Sequence, residues 1–214
     1  KDQLRGIIHV YTSPVFWRIA PWAVTSQATF LSVQTLWAGP WLGDVGGYER
    51  GGVAQGLLMI AAAMVLGFAS IGALTARLSR SGIPSLHVAV VGMTAFMVIQ
   101  CLIILEWTSM SLPLWILFGF FGTTGVVNYA ILCQDFPAHL AGRVNTGLNV
   151  MVFVMAFAGQ WGIGEVIDLW PTLPDGGYEP AGYQAGFGLM WGLQVLSLIW
   201  FFVADAIIRR KAAP

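Results

Sequence analysis

Charge is what this chain has least of. Only 9% of its residues are charged against 57% hydrophobic, and the mean hydropathy is +0.74. Soluble domains carry about a quarter charged residues, so this sequence has too little polar surface to meet water on all sides. The formal net charge is zero, which removes the electrostatic basis for a nucleic-acid partner. The two cysteines, Cys101 and Cys133, fall inside apolar runs and read as small buried hydrophobes rather than a disulfide framework. Histidine is scarce and sits in the wrong places for intramembrane chemistry. His9, His87 and His139 lie at or beyond the ends of apolar runs, whereas a membrane haem pair or a rhomboid-like serine protease needs a deep histidine. No phosphate-binding glycine loop, Cys/His zinc cluster or dinucleotide glycine pattern occurs, and no paired Asn-Pro-Ala of the water channels. The chain is expected not to be an enzyme and to use no cofactor and no metal.

What is abundant is apolar sequence in long runs. A hydrocarbon core of about 30 Å takes about 20 mainly apolar residues per helix. Six stretches meet that length: Val15–Leu42, Gly52–Ala76, Ser85–Glu106, Leu112–Gln134, Asn145–Trp170 and Tyr183–Ile208. They are hydrophobic on most faces, as membrane helices are. A soluble helical bundle would need polar helix faces that these stretches lack.

The few cations are sorted along the chain. Lys1, Arg5, Arg18, Arg77, Arg80, Arg143, Arg209, Arg210 and Lys211 sit at alternate ends of the six runs, and only Arg50 falls on the other side. Cytoplasmic connections of membrane proteins are enriched in Lys and Arg. Both termini and the connectors Arg77–Pro84 and Asp135–Arg143 are therefore expected in the cytoplasm. The Gly- and Pro-rich acidic connectors Gly43–Gly51 and Pro171–Gly182, with the short Trp107–Ser111, are expected outside. Trp37, Trp41, Trp107, Trp115 and Trp170 then gather near the outer surface, where indole rings favour headgroup depth. Both ends on one side of six spans also suit two three-helix repeats of opposite topology, although Val15–Glu106 and Leu112–Ile208 are too dissimilar to argue it from sequence.

The cytoplasmic end of the second run reads Gly72-Ala73-Leu74-Thr75-Ala76-Arg77-Leu78-Ser79-Arg80-Ser81-Gly82. It resembles the G-x-L-x-D-R-x-G-R-R loop of the major facilitator superfamily, matching at Gly72, Leu74, Arg77 and Arg80. Ala76 stands where the family has Asp, Ser79 replaces a Gly and Ser81 replaces a basic residue. Loss of the acid is more typical of the copy between helices 8 and 9 than of the one between helices 2 and 3. Phe136-Pro137 with Gly142-Arg143 is similar to the family's helix 10–11 loop. Thr35-Leu36-Trp37-Ala38-Gly39-Pro40-Trp41-Leu42 is similar to the L-W-x-G-P-x-L close of helix 7. The resemblance implies the C-terminal six-helix half, helices 7–12, of a twelve-helix transporter in a bacterial inner membrane. A chain that starts at Lys1 with a short polar lead-in fits a piece of such a protein, with residues 1–214 as a single domain.

Intramembrane polar groups are costly and usually face a cavity or a partner helix. Gln27 and Gln34 are seven apart and share a face of the first span, with Phe30, Leu31 and Thr35 nearby. Asn128 and Tyr129 lie deep in the fourth span, one turn after Thr123 and Thr124. Asn145, Asn149 and Gln160 share a face of the fifth, with Trp161 beside Gln160. Under the resemblance these spans are helices 7, 10 and 11, which line the family's central cavity, so Gln27, Gln34, Trp37, Asn128, Tyr129, Asn149 and Gln160 are the substrate-path candidates. Hydrogen bonding between helices is the alternative for each. Glu165, about 12 Å outward from the middle of the fifth span, is the proton-coupling candidate. Gly72, Arg77 and Arg80 form the cytoplasmic motif, as topology anchors or as a gate latch, and Arg18 reads as a snorkelling cation. Glycine spacings Gly119-x-x-Gly122-x-x-Gly125, Gly182-x-x-x-Gly186 and Gly188-x-x-x-Gly192 read as close helix packing.

The resulting expectation is an all-α membrane protein, half of a major facilitator, that moves a small polar or anionic solute by alternating access. Its partners would be the bilayer, the solute with H+ or another coupling ion, and the N-terminal six-helix half. The isolated half is also expected to self-associate. A solute sensor built on the same fold is the alternative.

Overall fold

The structure, a computed structural model, describes residues 2–212, with side-chain surroundings for residues 5–210. Lys1 lies outside the described residues, and the Lys211 side chain outside the described surroundings. Nine α-helices make up the architecture, and no strand occurs among the described residues. They are α1 (Asp2–Tyr11), α2 (Pro14–Ser32), α3 (Ala38–Asp44), α4 (Arg50–Arg80), α5 (Ser85–Ile104), α6 (Ser111–Gly122), α7 (Val127–Gln134), α8 (Ala141–Ile167) and α9 (Pro180–Ala212). A π-helical turn at Val33–Trp37 joins α2 to α3, and a 3-10 turn at Thr123–Val126 joins α6 to α7.

Five helical segments are long and apolar enough to cross a membrane: Arg50–Arg80, Ser85–Ile104, Thr108–Gln134, Ala138–Ile167 and Pro180–Arg210. The chain is therefore a multi-pass helical membrane protein by length and composition. The expected first span is helical from Pro14 to Asp44 but is not one of the five. Its composition explains this. α2 buries Phe16, Ile19, Trp22 and Phe30 together with Ser26, Gln27, Thr29 and Ser32, and neighbouring helices surround it. A helix sheltered by protein can carry polar groups that a lipid-facing one cannot. α4 is the opposite case, burying only Gly56, Ile60, Ala63, Gly67 and Ile71. It exposes Leu58, Val65 and Leu66 at 64–71%, as suits a helix against acyl chains.

The packing has an internal regularity. The Pro14–Asp44 helix packs along α8 and α9, and α6 packs along α4 and α5. Exchanging the first three long helices for the last three carries each of these pairs onto another. The starts Pro14, Arg50 and Ser85 are matched by Ser111, Ala141 and Pro180. Between α5 and α9, Gln194 donates to Gln100 Oε1 at 2.6 Å and the Trp191 indole donates to Met97 O at 2.9 Å, both pairs 94 residues apart. Gln100 and Gln194 are 1% and 0% exposed, so these amides of α5 and α9 serve each other.

Glycines set the closest approaches. A Cβ on Gly119 would stand 2.9 Å from Ile60 O, one on Gly122 would enter the Phe30 ring, and one on Gly125 would meet Gln27 Oε1. A Cβ on Gly182 would stand 3.2 Å from Ile167 and one on Gly186 3.1 Å from Ile163 of α8, whereas a Cβ on Gly188 or Gly192 would meet nothing within 4 Å. The first two spacings are packing motifs and the third is not.

Several expectations are corrected. Trp37, Trp41 and Trp115 are buried at 7%, 1% and 0%, with Trp41 and Trp115 ring centroids 5.5 Å apart. They lie on the two innermost helices and fill the core, leaving Trp107, 53% exposed, as a surface indole. Arg18 does not merely snorkel. Its guanidinium reaches Asp135 and Asp205, each at 3.3 Å, and Arg209 holds the other oxygen of Asp205 at 2.7 Å. The motif cations are helical rather than in a loop, because α4 runs through Arg80 and turns only at Ser81–Pro84, where Gly82 adopts φ +84. Gly72 is exposed with nothing within 4 Å, and neither Arg77 nor Arg80 forms an ion pair among the described residues. The short polar lead-in forms the helix α1.

Candidate functional site

α2, the fourth long helix and α8 meet around a cavity of about 420 Å³. Its polar lining is Gln27, Tyr129, Asn145 and Asn149, and Leu31, Val126, Val152 and Phe153 close the apolar sides. Three of the substrate-path candidates thus come together on one wall. The local cause is the 3-10 turn Thr123–Val126, which restarts the helix as α7 with Val127 and Asn128 buried and Tyr129 facing the cavity. The Tyr129 hydroxyl donates to Asn149 Oδ1 at 2.9 Å. Gln27 is 7% exposed, and its Oε1 is buried with no hydrogen-bond partner. That orphan acceptor is turned onto Gly125, where a Cβ would meet it, and leaving it unpaired costs about 1–3 kcal/mol.

A second polar cluster sits about 12 Å along the first helix, eight residues on at 1.5 Å each. The π turn brings Thr35 and Trp37 to α8. Gln160 Nε2 donates to Thr35 Oγ1 at 2.7 Å, and the Trp37 indole donates to Gln160 O at 3.2 Å. Thr35 in turn donates to Leu31 O at 2.6 Å. Gly164 leaves room for the Trp37 ring, which a Cβ there would approach to 3.3 Å. Gln160 and Trp37 therefore pin the π turn rather than line the cavity, and Gln34, half-buried, lies beside it. π turns of this kind recur at functional sites.

Asn128 is not on the cavity wall. It is 1% exposed, with Nδ2 against Met93 Sδ at 2.8 Å, and faces α5. On α8 a row of residues spaced four apart, Asn149, Phe153, Phe157, Trp161 and Glu165, is exposed along the helix, with Phe153, Phe157 and Trp161 at 64–75%. Glu165 stands at the end of that row, remote from the cavity.

Two acids at the far end from the Arg18 cluster hold structure that the sequence did not disclose. Asp44 Oδ2 accepts the Tyr183 hydroxyl at 2.7 Å and the Tyr178 backbone N–H at 3.0 Å, and so ties down the 168–180 connection. Glu106 has φ +54, the one positive φ outside glycine among the described residues, and its Oε1 is buried without a partner. Burial pushes its carboxyl above the usual carboxylate range, the Gln184 amide opposes this, and the nearby Glu179 carboxylate adds to it.

No group of three or more His, Cys, Asp or Glu side chains able to hold a metal occurs among the described residues. No protein-family model matches the chain, and no curated protein matches it.

Proposed function

We propose that the chain is the C-terminal half of a major facilitator permease that moves a small polar or anionic solute across a bacterial inner membrane. In this reading the Pro14–Asp44 helix is a sixth span, and the two sets of three spans are inverted repeats. The observation that carries the reading is the half-open cavity between the first, fourth and fifth long helices. It is lined by amides and a phenol and lacks any charged side chain. Its volume of about 420 Å³ falls in the range of small-molecule sites, about 300–1,000 Å³.

The regular exchange of helix pairs supports the repeats, and transporters built this way bind solute where the repeats meet. The exposed row Asn149, Phe153, Phe157 and Trp161 supports a covering half, because it borders a cavity whose amides and phenol acyl chains could not satisfy. The gathered ends of Arg18, Arg143 and Arg209 support cytoplasmic termini. With no cation in the cavity, an anionic solute would take its counter-charge from the covering half.

The test is transport by the twelve-helix protein in proteoliposomes. The vesicles are incubated with a pool of small polar metabolites, and their contents are read by mass spectrometry. Enrichment of a solute that disappears on Gln27→Leu supports the permease. Binding of that solute with no net flux would instead make the protein a sensor.

A further inference from the structure

α1 encloses a second pocket, of about 630 Å³, against the junction of α7 and α8. Four of its lining side chains are Arg5, His9, His139 and Arg143, and no carboxylate lines it among the described residues. Asp135, two residues before Pro137, is already held by Arg18. The two arginines are brought together by packing. Val10 anchors α1 at 1% exposure, and Gly6 lies on the Arg143 guanidinium so closely that a Cβ there would stand 2.7 Å from its nitrogen. His9 is set edge-on to Phe136 with ring centroids 6.5 Å apart. Like charges held side by side repel each other, and an anion in the pocket relieves that repulsion. Guanidinium forks suit the paired oxygens of a phosphate.

The position of the pocket says which phosphate. His139 and Arg143 belong to the first turns of the membrane-length segment Ala138–Ile167, which puts the pocket where that segment enters the bilayer. α1 also exposes Ile7 at 44% and Ile8 at 59%, so it carries an apolar face beside its basic one, as helices lying in a headgroup layer do.

We propose that this pocket binds the headgroup phosphate of an anionic phospholipid from the adjacent leaflet, with Arg5 and Arg143 on the phosphate oxygens, His9 and His139 as further donors, and Ile7 and Ile8 among the acyl chains. The site is independent of transport.

The test is native mass spectrometry of the full chain in neutral detergent with equal phosphatidylglycerol and phosphatidylcholine of identical acyl chains. The expected result is one retained phosphatidylglycerol in preference to phosphatidylcholine, with the preference falling about tenfold or more in Arg5→Gln/Arg143→Gln. Arg77→Gln/Arg80→Gln, which removes two cations from another helix end, should leave the preference intact. Arg5→Gln alone changes an exposed side chain, guards against misfolding and should give a partial loss. Equal retention of both lipids, or an equal loss from the Arg77/Arg80 variant, overturns the proposal. Glycerol 1-phosphate supplies the same chemistry in soluble form. If it raises the melting temperature through Arg5 and Arg143 while the lipids are not discriminated, the pocket serves a soluble phosphate ester and the lipid site is overturned.

Discussion

The Tyr129 hydroxyl donates to Asn149 Oδ1 at 2.9 Å and so joins the fourth long helix to the fifth across the mouth of the polar cavity. Interhelical hydrogen bonds in membranes average about 0.6 kcal/mol, so this one contributes little to holding the bundle together. Its larger effect is to orient the Asn149 amide. Tyr129→Phe and Asn149→Ala should each leave the melting temperature in detergent within a few degrees of wild type. Each should lower solute uptake by the twelve-helix protein about tenfold, the value of one well-placed hydrogen bond of about 1.4 kcal/mol. Wild-type uptake in both variants would remove Tyr129 and Asn149 from the solute path.

Arg18 makes a separate prediction, about the folded state alone. It bridges Asp135 and Asp205, whose side chains are 34% and 19% exposed, and so ties together the ends of α2, α7 and α9. Removing the cation leaves two carboxylates facing each other, whereas removing one acid leaves a cation still paired. Arg18→Gln should therefore be the most destabilising of the single changes in the cluster, by about 2 kcal/mol. Asp205→Asn should follow and Asp135→Asn should cost least, as its greater exposure implies. Thermal unfolding of the four proteins in one detergent checks the order, and a Asp135→Asn variant less stable than Arg18→Gln would contradict it.

The five membrane-length helices were legible because lipid-facing surface writes itself into hydropathy. Leu58, Val65 and Leu66 of α4 have no other reason to be apolar and exposed. Position in the bundle was less legible. Hydropathy cannot tell an indole at the interface from one in the core, so Trp41 and Trp115 looked like belt residues and proved to fill the centre. The split of the first span at Val33–Trp37 depends on Gln160, 125 residues from Thr35, and no local pattern announces it. Gln27, Tyr129 and Asn149, singled out as polar groups inside apolar runs, all line one cavity, because a polar residue in such a run is visible locally. Residue spacing could not find the orientation of Asn128, which is set by Met93 on another helix. α1 spans only ten residues, too few for a helical period to stand out.

Glycine substitutions should divide by what surrounds each site. A Cβ at Gly122 falls inside the Phe30 ring, and Phe30 is itself 1% exposed and packed on Phe96 and Phe118 at 6.1 and 5.8 Å. Gly122→Ala should cost about 1–3 kcal/mol, as overpacking does. Gly188 sits in a helix with nothing within 4 Å, so Gly188→Ala should be neutral or stabilising by up to about 1 kcal/mol through helix propensity. Equal effects of the two in thermal unfolding would mean that the approach of the fourth helix to α2 is not as close as described.

Glu106 carries two independent penalties, and pH separates them. Its φ of +54 is strained for a residue with a Cβ, and this strain does not depend on protonation. Its carboxyl, raised above the usual range by burial and by Glu179, binds a proton more tightly in the folded protein than in the unfolded chain. The ionised form therefore destabilises the fold above the folded-state value, and the penalty fades as the pH falls through that value and below the unfolded one. Glu106→Gln removes only the charge, so it should raise the melting temperature at neutral pH and lose that advantage in acid. Glu106→Gly removes both penalties and should keep part of its advantage in acid, about 1 kcal/mol from the backbone. A Glu106→Gln advantage that is the same at neutral and acid pH would show that ionisation of Glu106 is not what destabilises the fold there.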